Sequence, residues 1–145
     1  MKNKILNQMS IKFQAISENE SFARNVIACF ALFLNPSVAE INDIKTAVSE
    51  AVTNCIVHAY DKKGGFIYID SYIVDNKIHI NIIDEGKGIA DLDKALEPFY
   101  SSKEEDERAG MGFTIMQSFM DEFKVESKDK KGTKVYMVKS ILKNK

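Results

Sequence analysis

The chain has 145 residues, the size of one ordinary domain, and its 20 basic and 21 acidic side chains give no electrostatic reason to expect a nucleic-acid partner. Apolar residues make up 45% of it, more than a disordered chain sustains, and its two cysteines offer neither a disulfide framework nor metal-ligand spacing. The longest unbroken apolar run, Val26 to Leu34, is too short to cross a bilayer, and Met1 to Gln8 lacks the apolar centre of a signal peptide, so a cytoplasmic protein with no membrane partner is expected.

Around Ile11 and Phe13 apolar residues alternate with Ser10, Lys12 and Gln14, the period of a half-buried strand. Ser17 and Glu20 read as a capping box, after which Phe22, Val26, Ile27, Phe30, Phe33 and Leu34 recur at helical spacing until Asn35-Pro36. Ser37 and Glu40 repeat the signature ahead of a second helix. Its stripe is Ile41, Ile44, Val48, Val52, Cys55 and Ile56, and it ends before Lys62 to Gly65. Cys29 and Cys55 fall inside these patterns, where small buried thiols are the plain expectation.

Phe66 to Val74 and Lys77 to Ile83 are rich in β-branched and aromatic residues and meet at Asp75-Asn76, which predicts an antiparallel pair. Asp84 to Gly88 is a glycine loop, Asp91 to Leu96 a short helix, and Tyr100 to Arg108 a polar stretch that builds no core. Gly110-Met111-Gly112 opens a helix over Phe113 to Met120. Phe123 to Glu126 and Thr133 to Leu142 close the chain as strands around a turn at Lys130 to Gly132. This order predicts helices packed on one face of a mixed, mainly antiparallel sheet, in a single domain over 1–145 without repeat or linker.

On the second helix Glu50, Asn54 and His58 form a polar ladder roughly opposite the apolar stripe. The placement fits a solvated face. It also aims a carboxylate and an amide oxygen into one cleft, where the first accepts a hydroxyl proton and the second binds a metal. In the glycine loop, Asp84 is suited to accept from an amino group such as that of adenine, while Gly86 and Gly88 permit close backbone approach; a plain surface turn is the other reading. Gly110-Met111-Gly112 presents backbone N–H groups at a helix start, suited to phosphate oxygens, though no Lys-Ser/Thr follows as in a Walker loop. A hairpin turn accounts for Gly132-Thr133 by itself.

In this order Glu50 with Asn54, Asp84-x-Gly86-x-Gly88, Gly110-x-Gly112 and Gly132-Thr133 resemble the N, G1, G2 and GT boxes of the ATP-binding fold shared by DNA gyrase and sensor histidine kinases. Asn19 to Arg24, Ser49 to Asn54 and Gly110 to Met116 are similar to the sporulation anti-sigma F factors, over nearly the whole chain. The resemblance implies a two-layer α/β sandwich, a homodimer, and a Mg²⁺-ATP (or ADP) pocket. It implies two partners: a sporulation sigma factor held inactive, and an anti-anti-sigma factor phosphorylated on serine. By the same resemblance Glu50 is the general base, Asn54 ligates Mg²⁺, Asp84 accepts from the adenine amino group, and Gly86, Gly88 and Thr133 shape the adenine end. Gly110, Met111 and Gly112 meet the phosphates, Arg108 adds charge beside the γ-phosphate, and a lid containing Ser101, Ser102 and Lys103 covers the nucleotide. Arg24 contacts the protein partners.

The chain departs from the family pattern at Cys55, Ala59, Lys87 and the lid serines. His58 is expected to pack or hydrogen-bond instead of taking part in catalysis, and His79 to be exposed. Two other assignments share the motifs: a related kinase of a stress-response partner switch, and a nucleotide-holding module without phosphotransfer.

Overall fold

The structure, a computed structural model, describes residues 4–61, 63–97 and 112–142. A five-stranded sheet in the order β1-β2-β3-β5-β4 carries its helices on one face. The strands are β1 (Ile5–Gln14), β2 (Phe66–Val74), β3 (Lys77–Asp84), β4 (Glu122–Ser127) and β5 (Thr133–Ser140). The two-layer arrangement is the expected one, and among the described residues all four strand pairings of the sheet expected to be mainly antiparallel are antiparallel. The helices are α1 (Glu18–Ala31), α2 (Val38–Asn54), α3 (Leu92–Ala95) and α4 (Gly112–Phe119). Both α1 and α4 pack on α2.

Strand parity decides what enters the core. Ile67, Ile69, Ser71 and Ile73 of β2 and Ile78, Ile80 and Ile82 of β3 all point to the helices and are buried, each isoleucine contributing about 1.5–3 kcal/mol relative to exposure. Two residues beyond Ile82, Asp84 falls on the same inward row, so the last residue of β3 delivers a carboxylate to the helix side of the sheet. In the register Asp84 lies opposite Thr133.

The helix boundaries show which local signals hold. Ser37 and Glu40 close the expected capping box: Glu40 N donates to Ser37 Oγ at 3.1 Å, and Ser37 N donates to Glu40 Oε1 at 2.8 Å. The box expected at Ser17 and Glu20 does not form. Ser17 has helical backbone angles and no side-chain cap bond, and Glu20 is drawn to Arg24 (2.9 Å) and to Ser49 of α2 (2.5 Å), a tertiary partner that outcompetes the local one. After α1 a 3₁₀ turn, Leu32–Leu34, ends in Asn35 with left-handed φ of 53° ahead of Pro36. Helix α2 runs on as a π-helical segment, Cys55–Ala59, in which Tyr60 N donates to Cys55 O at 3.1 Å.

Four side chains depart from the sequence expectations. Cys29 is exposed, because the buried row of α1 is Ala23, Ile27 and Ala31, and Phe22 and Phe33 are also about half exposed. His79 lies on the helix-free face of the sheet but is half-buried there. Its ring stacks on Tyr72 with centroids 4.5 Å apart, and Nδ1 hydrogen-bonds the Tyr136 hydroxyl at 2.7 Å. Burial pushes the Tyr136 hydroxyl up to about 12 and lowers the His79 imidazole, so both are neutral near pH 7.

Candidate nucleotide site

Between α2, the π segment, the loop after β3 and the start of β5 lies a cavity of about 340 Å³, within the range of small-molecule sites. Asn54, Cys55, His58 and Ala59 line it from the helix side, Asp84, Lys87 and Gly88 from the loop, and Thr133 and Val135 from β5. Ile89, Ala95 and Phe113 supply apolar wall. Of the three carboxylates on the lining among the described residues, Asp84, Asp91 and Asp129, only Asp84 is buried, and a buried hydrogen-bonding carboxylate beside apolar wall is suited to a flat, largely apolar ring that carries an amino group.

The carboxylate of Asp84 is held on both oxygens. Gly86 N donates to Oδ1 at 2.9 Å and the Cys55 thiol to Oδ2 at 3.4 Å. Burial pushes Asp84 above the usual carboxylate range, while the N–H of Gly86, the thiol of Cys55 and the N–H of Thr133 pull it back. The loop itself is clamped. Gly86 sits so close to the Ala59 carbonyl that a β-carbon would overlap it, Lys87 N donates to Ala59 O at 3.1 Å, and Gly88 adopts φ of 74°. Tyr60 adds a second staple: its hydroxyl accepts from Glu85 N and donates to Phe66 O, both at 2.7 Å. Lys87 carries its charge to the cavity rim, where it pairs with Asp61 at 3.3 Å.

Asn54 lines the cavity, and Glu50 stands one turn before it on α2. Glu50 is 9% exposed, so the polar ladder is no solvated face; α4 covers it. A β-carbon on Gly112, the first residue of α4, would stand 3.1 Å from Asn54 Nδ2 and 3.5 Å from Glu50 Oε1, which puts the amide and the carboxylate against the start of that helix. Glu50 does not line the cavity itself, and Gly86 backs the loop instead of facing in. The structure therefore joins Asn54, Asp84, Gly88 and Thr133 on one cavity, with Glu50 and Gly112 bordering Asn54. Arg24 stands apart on α1, bonded to Glu20 and, at 3.3 Å, to Ser21. Ser101, Ser102, Lys103, Arg108, Gly110 and Met111, and the lid over 100–109, lie outside the described residues.

Sequence reasoning missed Tyr60 and the contact of Cys55 with Asp84. The aromatic directly after the ladder was the available signal for the first; for the second there was none, since the partners are 29 residues apart.

Residues 13–139 match the family described as the histidine kinase-like ATPase domain. The chain is 60% identical over 139 residues to the anti-sigma F factor of Caldanaerobacter subterraneus subsp. tengcongensis, covering 96% of this chain and 97% of that protein. It is 58% identical over 135 residues to the anti-sigma F factor of Thermoanaerobacter sp. strain X514, covering 93% and 94%. Its fold resembles the crystal structure of the RsbU and RsbW domains of a Mycobacterium tuberculosis protein, with TM-score 0.67 at 17% identity over 93% of this chain and 32% of that one, a likeness of fold alone. Fold and site thus define an ATPase domain of the histidine kinase-like type. Within that type the chain belongs to the anti-sigma F factor family.

Proposed function

We propose that the chain is an anti-sigma factor that binds ATP or ADP in the cavity, holds a sporulation sigma factor inactive, and transfers phosphate from ATP to a serine of its anti-anti-sigma factor. The observation that carries this reading is one cavity lined by both an amino-accepting buried carboxylate, Asp84, and the Asn54 amide, the latter beside the buried carboxylate of Glu50.

In this reading Asp84 accepts from the 6-amino group of adenine, Ile89, Phe113 and Val135 flank the ring, and Asn54 faces the phosphates. The donor set fits Mg²⁺ as such ions are commonly held, by one or two protein oxygens plus phosphate oxygens; Asn54 Oδ1 is the protein oxygen, and the ion when bound neutralises phosphate charge. Glu50 takes the proton from the attacking serine hydroxyl, a role suited to a carboxylate withdrawn from water. Gly110, Met111 and Gly112 offer backbone N–H groups to the phosphates, Arg108 supplies positive charge at the γ-phosphate, and Ser101, Ser102 and Lys103 belong to the segment that covers it. Arg24, a third exposed and already oriented by Glu20, is the contact for the protein partners.

The test is transfer from [γ-³²P]ATP to a purified anti-anti-sigma factor by the wild type and by Glu50→Ala, with ATP binding measured in both. We expect transfer to fall by at least about 100-fold in the variant while binding is retained. Binding without transfer in the wild type would overturn the kinase half and leave a nucleotide-gated binding module. In parallel, Arg24→Ala is expected to lose capture of the sigma factor; undiminished capture would remove that assignment.

A further inference from the structure

We propose that Cys55 is a positioning residue for the base-reading carboxylate: its thiol, donating to Asp84 Oδ2 inside the cavity, sets the preference of the site for a purine that carries a 6-amino group. The inference rests on the nucleotide reading above and deepens it.

Cys55 opens the π segment, is 4% exposed and lines the cavity. Its Sγ lies 3.4 Å from Oδ2 while Gly86 N lies 2.9 Å from Oδ1, so each oxygen of Asp84 has its own donor, one from the helix and one from the loop. Two donors on opposite oxygens fix the plane of the carboxylate. An ionised carboxylate accepts about four hydrogen bonds, so acceptor capacity remains for a ligand amino group in the cavity that Asp84 lines. A thiol is a weak donor in water, but in a dry, low-dielectric site the bond gains strength. Burial, reinforced by the charge of Asp84, pushes the Cys55 thiol well up, so it keeps its proton and its donor role through neutral pH. The same burial leaves it a poor nucleophile. Its chemistry here is to orient, not to react.

The test compares binding of ATP and of purine riboside 5′-triphosphate, which lacks the 6-amino group, by calorimetric titration of the full chain. Cys55→Ala and Cys55→Ser leave similar space and differ by one hydroxyl, and Cys55→Val fills the space without a donor. We expect wild type to prefer ATP, and Ala and Val to narrow the ratio of the two affinities about three- to tenfold, the size of one lost hydrogen bond. Ser is expected to keep the larger part of the wild-type ratio. The proposal is overturned if Ala and Val keep the wild-type ratio, if they weaken both nucleotides equally, as a packing role alone would, or if Ser narrows the ratio as much as Ala. A wild type that binds neither triphosphate fails the nucleotide reading itself, a result distinct from any of these.

Discussion

Asp84 carries a conflict between stability and use. Burial raises its pKa, so folding disfavours its ionised form. The sign follows: the carboxylate subtracts stability above its raised folded pKa, and that loss is relieved as the pH falls through that value towards the ordinary 3.8. Asp84→Asn is therefore expected to melt a few degrees above the wild type at pH 7 without nucleotide, the gap closing in acid, while ATP affinity falls at least about tenfold. Scanning calorimetry across pH with a parallel ATP titration checks both halves; an Asn variant that melts lower at pH 7 would show that the three donors outweigh burial. Asp84 was legible in the sequence because strand parity is local: the alternation of Ile78, Ile80 and Ile82 carries on to it. The state of Glu50 was not legible, since the helix that covers it begins at Gly112, far along the chain, and helix periodicity alone put Glu50 on the wet side.

At the level of elements, two identical capping signatures have opposite fates, and the difference is tertiary. Ser37→Ala removes a formed box and is expected to cost about 1 kcal/mol, a fall in Tm of about 4 °C. Ser17→Ala removes no cap bond and is expected to leave Tm within about 1 °C. Thermal melts of the two variants side by side decide it, and equal losses would mean that the Ser17 side chain caps α1 after all. The order of the elements was read from the β-branched runs and the Asn35-Pro36 stop, with β2 and β3 placed nearly to the residue, but β1 begins at Ile5, well before the alternation read around Ile11 and Phe13. What the pattern did not carry was the change of winding at Cys55–Ala59, because π geometry satisfies the same spacing of apolar residues over so short a span. That segment presents Cys55 and Ala59 to the loop after β3, and so joins helix to loop at the cavity floor.

Over the whole molecule, the sheet is covered by helices on one side, and β1 is an edge strand on which Ile5 and Leu6 are about half exposed. An apolar edge of this kind is a ready place for a second copy to pair, and on that ground we propose the homodimer that the family resemblance implies. Sedimentation equilibrium is expected to return the mass of two chains for the wild type and one for the pair of changes Ile5→Asp and Leu6→Asp; a wild-type monomer at tens of micromolar would rule the dimer out.

The strand order has a consequence for the birth of the protein. β5, last of the five to be synthesised, takes the place between β3 and β4. Until it leaves the ribosome, β3 has a bare edge and β4 has no neighbour in the sheet, so the half-made chain displays an isoleucine-rich strand open to wrong pairing. The same insertion brings Thr133 and Val135 to the cavity, so the nucleotide site we propose is incomplete in a nascent chain until β5 has emerged, and ATP bound there would reward only chains whose sheet has closed.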